Sequence, residues 1–169
     1  MIETGELPPD RERYVEIDLG TLERLHASEK DRKKGIEEKA KANLVAVTVS
    51  FALLSSVIGL LREGNPFIKH GALGITLTIF LAVGLISLLL GGLAALRALR
   101  VDQMCDLYIQ TEYRLLGAPE TERKRELVLA ISINERITNI RSNFVDASYT
   151  HIRNGILIMA CFGLFLIFH

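Results

Sequence analysis

Small and hydroxyl-bearing side chains recur inside the long uncharged runs of this 169-residue sequence. Their spacing of three or four residues places them on one face of a helix. Small side chains on such a face let two helices approach closely, and hydroxyl groups can line a path for water or ions. The candidates for helix packing or pore lining are Thr48, Ala52, Ser55, Ser56, Gly59, Gly74, Thr78, Ala82, Ser87, Gly91 and Ala95.

Two alternatives for these residues stay open at the level of sequence. An ordinary hydrogen bond within the membrane is the simpler interpretation of each hydroxyl group. The second uncharged run carries two small-residue stripes, and each can pack between copies of the chain in an oligomer or against the first uncharged run within one chain. The stripes are Gly74, Thr78 and Ala82, and Ser87, Gly91 and Ala95.

Two clusters of basic residues lie outside the uncharged runs. Each basic side chain near a membrane surface contributes about 1 kcal/mol toward binding anionic lipid. Lipid headgroups therefore suffice as ligands, although a nucleotide signal would meet the same charges. The candidate lipid or signal contacts are Arg32, Lys33, Lys34, Arg123, Lys124 and Arg125.

The sequence carries no recognisable catalytic or metal-binding pattern. The histidines at positions 26, 70, 151 and 169 are far apart, and the HExxH, CxxC and Gly-rich phosphate-loop motifs do not occur. The 20 Lys and Arg balance the 20 Asp and Glu, so no net charge attracts nucleic acid. We expect no enzymatic activity, no cofactor and no nucleic-acid partner.

The element around which the candidates are arranged is the run at residues 70–96, which contains no Asp, Glu, Lys or Arg. As a helix it would extend about 40 Å, more than the roughly 30 Å of a bilayer's hydrocarbon core. It is apolar or small on every side, whereas a surface helix of a soluble protein keeps one polar face. The run predicts a transmembrane helix; the alternative is the core helix of a soluble domain.

Two further runs predict membrane spans. Residues 43–61 would form a helix of about 28 Å, which is just long enough to span. The last run, residues 153–168, is only about 22 Å long beyond Arg153. It either spans with Arg153 reaching back to the interface, embeds part-way, or continues in a longer native chain.

Charged residues precede the first predicted span. Residues 1–20 form an acidic arm that contains two consecutive prolines. Residues 21–42 predict a charged helix that continues into the first span, and its Glu37 and Lys41 have the spacing of an ion pair. A short link that contains glycine and proline follows the first span, so the first two spans are expected to be antiparallel.

Residues 97–152, between the second and third spans, predict an antiparallel hairpin of two amphipathic helices with its turn at residues 117–120. The second helix of this hairpin repeats apolar residues at intervals of three and four. Its expected apolar face comprises Leu127, Ala130, Ile131, Ile133, Ile137, Ile140, Phe144 and Ala147.

Lys and Arg are concentrated before the first span and between the second and third spans. Cytoplasmic loops of membrane proteins carry an excess of basic residues. We therefore expect a multi-pass protein of the cell inner membrane, with a cytoplasmic N-terminus, a cytoplasmic helical hairpin and a C-terminus outside.

The layout resembles that of small bacterial membrane effectors of antiphage defence, the SLATT-type proteins and the Pycsar transmembrane effectors. The resembling stretches are residues 32–40 (RKKGIEEKA) before the first span and residues 134–154 before the third. The resemblance implies a protein that oligomerises and disrupts the inner membrane when triggered. No attached sensor domain is recognisable, so a trigger would act on the helical hairpin or through a partner protein.

Together these patterns predict an all-α integral membrane protein with three transmembrane helices and a cytoplasmic antiparallel helical hairpin between the second and third. The expected function is a homo-oligomeric inner-membrane effector or pore. The expected partners are the lipid bilayer, further copies of the chain and a cytoplasmic protein. The competing class is a non-conducting anchor or scaffold whose hairpin binds another protein.

Overall fold

The computed structural model of the protein describes residues 16–64, 72–101 and 119–168. Three long helices account for nearly all of them: α1 (Leu19–Gly64), α2 (Ala72–Arg100) and α3 (Glu120–Phe168). The prediction of an all-helical chain is confirmed for this part of the protein. Most of the predicted acidic arm, the link between the first two spans and most of the hairpin's first helix lie outside the described residues.

Helix α1 begins at Leu19 because Asp18 caps it. The Asp18 Oδ2 atom accepts a hydrogen bond from the backbone N–H of Thr21 at 3.0 Å, as the side chain of an N-cap residue does. This hydrogen bond lowers the pKa of the Asp18 carboxyl below its ordinary value, so the cap stays charged at neutral pH. The helix therefore starts inside the predicted arm, two residues before the expected position.

The predicted charged helix and the first predicted span form one uninterrupted helix. Residues 21–42 and 43–61 both lie within α1, which ends at Gly64. No proline falls within this stretch, and a glycine followed by Asn-Pro is a strong stop signal. The continuous helix that the sequence predicts at this boundary is present in the structure.

Helix α3 likewise joins the predicted second helix of the hairpin to the third predicted span. It begins at Glu120, so this residue belongs to the helix rather than to the predicted turn. The Pro119 carbonyl accepts a hydrogen bond from the Arg123 N–H at 3.0 Å. Glu120 and Glu122 in the first turn are favourable at the positive end of the helix dipole.

Helices α1 and α3 run parallel. Glu23 near the start of α1 pairs with Arg123 near the start of α3, and farther along Asn43 hydrogen-bonds to Ser148. Residue numbers rise together in both helices, so their first residues lie at the same end of the bundle.

Helix α2 runs antiparallel to both. Gly84 faces Met159 of α3, whereas the later Gly91 faces the earlier Ile152. Gly92 of α2 lies against Val47 of α1, and the apolar cluster of Ile36, Ala40, Ala98 and Val145 joins all three helices at the last turn of α2. The antiparallel packing of the first two predicted spans, which their short link predicts, is present.

Beyond the end of α2, residues 19–36 of α1 and 120–140 of α3 continue side by side. We call these two segments the helical pair. Leu22 and Val128 are buried between them, with Ile17, Leu127, Leu129 and Ile131 packed around this contact. The bundle thus has a three-helix half that contains α2 and a half in which the helical pair carries most of the charged residues.

Among the described residues one helix is long and apolar enough to cross a membrane. This segment of α2 covers Thr78–Arg100, and about 28% of its apolar window is buried. A core helix of a soluble protein would be mostly buried. The membrane prediction for residues 70–96 thereby receives support, although the observation does not extend to the other two predicted spans.

Ser87 and Gly91 of α2 lie against α3, a partner that the sequence did not suggest, whereas Gly92 lies against Val47 of α1. The sequence left open a second copy or the first span as the surface against which Ser87, Gly91 and Ala95 pack. In the structure an added Cβ on Gly91 would lie 2.7 Å from Ile152 Cγ1, and the Ser87 hydroxyl donates to the His151 carbonyl. Antiparallel packing of α2 on α3 brings these small residues onto the α3 backbone.

The buried face of α3 is more polar than predicted. Ile140, assigned to the apolar face, is 41% exposed, and Ala147 is also exposed, whereas Thr138, Arg141 and Ser148 are fully buried. The repeat of apolar residues predicts the wrong buried face because it leaves out polar residues. Arg141 and Ser148 can be buried since a carboxylate of α1 and carbonyls of α2 accept their hydrogen bonds.

Gly91→Ala tests the close approach of α2 and α3. The added methyl group would meet the Ser148 carbonyl oxygen at 3.1 Å and the Ile152 nitrogen at 3.2 Å, and backbone atoms cannot turn away. Overpacking of this kind costs about 1–3 kcal/mol of unfolding free energy. We expect a lower thermal midpoint for the detergent-solubilised variant, measured by circular dichroism.

Gly163→Ala is the matched control on α3, because an added Cβ there meets nothing within 4 Å. Its thermal midpoint should equal or exceed that of the parent, since alanine favours a helix over glycine. Equal midpoints for the two alanine variants would contradict the close contact at Gly91.

Candidate functional site

Polar side chains from all three helices form hydrogen bonds inside the bundle, from the last turn of α2 back to Ser87, about three turns earlier. We call this group the polar junction; its side chains are Glu37 and Asn43 of α1, Ser87 of α2, and Arg141 and Ser148 of α3. Each helix contributes at a position on its buried face, where a polar group requires a hydrogen-bond partner.

Arg141 is the central residue of the polar junction. Its side chain is only 1% exposed and pairs with the Glu37 carboxylate, with Nη1 lying 3.2 Å from Oε1. Its Nε atom donates to the Ala98 carbonyl at 2.8 Å. That carbonyl lies in the last turn of α2, where the helix itself supplies no partner. One guanidinium therefore joins α1 and α3 and also caps α2.

Glu37 was expected to pair with Lys41 along its own helix. In the structure its carboxylate faces Arg141 on α3 instead. The side chain of Glu37 is 25% exposed, so one edge of the ion pair remains open to the surroundings. A buried guanidinium without a carboxylate partner would cost several kcal/mol of stability, whereas a surface ion pair contributes about 1 kcal/mol or less. Glu37 therefore pairs with Arg141 rather than with Lys41.

A second set of hydrogen bonds lies about two to three turns farther into the three-helix half. The Ser148 hydroxyl donates to the Gly91 carbonyl at 2.8 Å. The Asn43 amide donates to Ser148 Oγ at 3.1 Å and to the Val145 carbonyl at 3.3 Å. The Ser87 hydroxyl of α2 donates to the His151 carbonyl at 2.8 Å. These bonds fix the register of the three helices.

The predicted packing residues separate into two groups. Ser87, Gly91 and Ala95 lie against neighbouring helices, as described above, whereas the candidates on α1 face outward. The hydroxyls of Thr48, Ser55 and Ser56 donate to carbonyls four residues earlier in the same helix, at 2.9–3.0 Å. Also exposed are Ala52, Thr78 and Ala82. Gly59 and Gly74 lie within helices, and their surroundings are outside the described set.

Both arginines that head the predicted basic clusters make contacts between the two helices of the helical pair. Arg32 Nη2 of α1 donates to Asn139 Oδ1 of α3 at 2.8 Å. Arg123 of α3 lies 2.6 Å from the Glu23 carboxylate of α1, with both side chains nearly half exposed. These contacts leave the two arginines less available for lipid than the sequence predicts.

Two of the other basic candidates pair with carboxylates on their own helix. Lys34 lies 3.9 Å from Asp31, and Lys124 lies 3.0 Å from Glu120, in each case along one helix. Arg125 is exposed and Lys33 is half-buried. Exposed pairs contribute little to stability, so the exposed Lys34 and Arg125 can reach an anionic surface, whereas the Lys124 side chain is only 18% exposed.

An apolar cavity of about 240 Å³ lies in the three-helix half, beyond the polar junction. Among its described lining residues only Ser50 is polar, and its hydroxyl donates back to the Ala46 carbonyl at 2.7 Å. This described lining suits an apolar group. Its lining residues are Ser50, Leu53, Leu54, Leu88, Ile156, Met159, Ala160, Phe162 and Gly163.

The arrangement provides tight coupling between helices rather than a reactive group. No cluster of three or more His, Cys, Asp or Glu side chains that could hold a metal ion occurs within residues 16–64, 72–101 and 119–168. In the polar junction the Arg141 guanidinium donates to the Glu37 carboxylate and to a carbonyl of α2. The Ser148 hydroxyl donates to another carbonyl of α2, and the Asn43 amide donates to that hydroxyl.

Sequence reasoning missed Arg141, Asn43 and Ser148. The available signal was position: Arg141, Val145, Ser148 and Ile152 follow one another at intervals of three and four, as core residues do. A search restricted to apolar residues passes over such a stripe, because half of its members are polar.

Arg141→Met tests whether the polar junction holds the bundle together. Removing one partner of a buried ion pair costs about 3–5 kcal/mol, since the remaining charge stays poorly solvated. We expect the free energy of unfolding in mild detergent to fall by this order. Arg136→Met, an exposed substitution on the same helix, should change it by about 0.5 kcal/mol or less.

The double variant Glu37→Met/Arg141→Met should recover part of the loss, because apolar replacements of both charges leave no uncompensated carboxylate. Equal stability of the Arg141→Met and Arg136→Met proteins would show that Arg141 does not carry this structural role.

Comparison of the chain with models of protein families, with curated proteins and with solved structures found no match in any of the three. Function is therefore inferred from the exposed surfaces, the charge distribution and the buried contacts of the described helices.

Proposed function

We propose that all three helices enter the lipid bilayer and that copies of the chain associate to permeabilise or perturb the inner membrane. The observation that carries the proposal is a belt of exposed large apolar side chains around the three-helix half. Soluble monomers rarely expose a continuous apolar surface of this extent.

All three helices contribute to this apolar belt, α1 nearer the polar junction and α3 farther from it. The exposed fractions of the belt's side chains range from about 45% to 65%, which is what side chains in contact with lipid require. The belt comprises Val45, Val49 and Leu53 on α1; Ile75, Ile79, Phe80, Val83, Ile86, Leu89, Leu90, Leu93 and Leu96 on α2; and Ile156, Leu157 and Leu164 on α3.

Charge distribution supports the proposed orientation. Arg97 and Arg100 lie in the last turn of α2, and the exposed Lys41 of α1 lies at a similar level. These residues border the apolar belt on the side of the helical pair. By the positive-inside rule this end faces the cytoplasm, so the helical pair is cytoplasmic and the last turns of α1 and α3 lie toward the outside.

Self-association is supported by the outward face of α1. Thr48, Ala52, Ser55 and Ser56 are exposed there, and the hydroxyl groups are already satisfied within the helix. Faces of small residues allow helices to approach closely in a bilayer. The proposed role as an effector of antiphage defence rests on the resemblance in layout alone.

A membrane anchor is the second candidate function. The helical pair extends beyond α2 and exposes Leu25 and Ile140, with exposed fractions of 43% and 41%. A soluble partner could bind this surface while the three-helix half only holds the complex at the membrane.

Reconstitution into lipid distinguishes the two functions. The protein is placed in nanodiscs for native mass measurement and in liposomes for ion-flux assays. The first proposal expects the mass of two or more copies of 18.8 kDa each, after correction for bound lipid, together with ion flux. A monomer without flux would overturn it and favour the anchor.

Ala52→Leu tests the small-residue face of α1. A leucine there adds bulk where helices are expected to meet, so the oligomer should dissociate and flux should fall by about tenfold. Ala42→Leu is the matched control, because Ala42 is also exposed on α1 but lies off this face. Oligomers of wild-type mass in both variants would exclude this surface as the interface.

A further inference from the structure

The outward face of α3 carries a polar stripe that begins level with the last turn of α2 and continues to the level of the apolar belt, where a helix surrounded by lipid would be apolar. The stripe consists of Asn143, Asp146, Thr150, Arg153 and Asn154, all of which are exposed. The first four members follow one another at intervals of three and four residues, which keeps them on one side of the helix, and Asn154 adjoins Arg153 on the same side.

This side lies opposite the face that packs into the bundle. Val145, Ser148 and Ile152 lie between members of the stripe, Gly155 follows it, and all four are buried. The next outward positions beyond Asn154 are apolar, beginning with Leu157. The stripe therefore extends part of the way along the three-helix half and then ends.

Contacts with α2 fix the depth of the stripe. Gly91 faces Ile152, and Gly155 faces Leu88, so Arg153 and Asn154 lie level with Leu89 and Leu90 of α2. Both of these leucines belong to the exposed apolar belt. Arg153 lies about 10 Å deeper, along the axis, than the level of Arg97.

Charged side chains within a membrane rarely face lipid; they face a bundle interior, a partner or a water-filled cavity. At this level the opposite side of α3 packs into the bundle through Ser148, Ile152 and Gly155, so the stripe itself faces away from the interior. We propose that the outward polar stripe of α3 lines a water-filled path shared by copies of this chain. This inference rests on the proposed function and assigns the lining of its pore.

Charge favours a wet path over a dry contact between copies. Parallel copies around a symmetry axis bring each Arg153 level with the Arg153 of its neighbours, and each Asp146 level with other Asp146 residues. Like charges in direct contact repel, whereas water between them reduces this repulsion. Arg153 forms the deeper ring, and a ring of arginines selects for anions.

Thiol accessibility tests the lining. In a Cys105→Ser/Cys161→Ser background, Thr150→Cys and Asn154→Cys are compared with Leu93→Cys and Leu89→Cys, which lie at matching depths on α2. A membrane-impermeant maleimide is added to vesicles of phosphatidylcholine and phosphatidylglycerol. We expect the α3 thiols to react about tenfold faster than the α2 thiols, because only the former face water.

Ion selectivity gives a second readout. Arg153→Glu reverses the charge of the deeper ring, so the chloride-to-potassium permeability ratio should fall by about tenfold. Arg136→Glu makes an equal charge reversal on α3 within the helical pair, away from the proposed path, and should leave this ratio unchanged.

Protection of the α3 thiols in vesicles that conduct ions would overturn the inference and leave the proposed function intact. Equally fast labelling in nanodiscs that hold a single copy would also overturn it, because water would then reach the stripe without a partner. Failure of the proposed function is recognised separately, by a monomeric mass and absent flux.

Discussion

Burial of the Arg141 guanidinium is the constraint on which the rest of the bundle depends. A charged group away from water is tolerated only where its donors meet acceptors, and here the acceptors belong to Glu37 on α1 and Ala98 on α2. A shift of either helix by one turn, about 5.4 Å, would break these contacts. The guanidinium thus sets the register of two helices against the third.

The polar junction also marks the border between two environments. On one side the helical pair is covered with charges, and on the other side the apolar belt surrounds the bundle. Helices α1 and α3 cross this border without interruption. A change in the packing of the helical pair would therefore act directly on the three-helix half, which is the physical route available to a cytoplasmic trigger in the proposed effector.

Small side chains make this register possible. Gly91 and Gly155 bring α2 and α3 so close that an added methyl group on either would contact backbone atoms, and the Ser148 hydroxyl then reaches a carbonyl on the facing helix. A core of larger residues would bury more apolar area but would separate the polar groups. Close packing and buried hydrogen bonds are thus two parts of one arrangement.

Local properties of the chain were readable from sequence: three helices, the membrane-length run at residues 70–96, the junction of charged and uncharged halves in α1, and the small residues of α2. Local spacing and propensity determine these features, so no neighbour is needed to infer them. Only the tertiary structure decided that Gly91 faces α3 and that Glu37 pairs with Arg141 rather than Lys41. It also decided that Arg141 lies inside the bundle while Ile140 lies outside. Those outcomes depend on which hydrogen-bond acceptors a neighbouring helix presents. The spacing of residues along one helix does not reveal these acceptors.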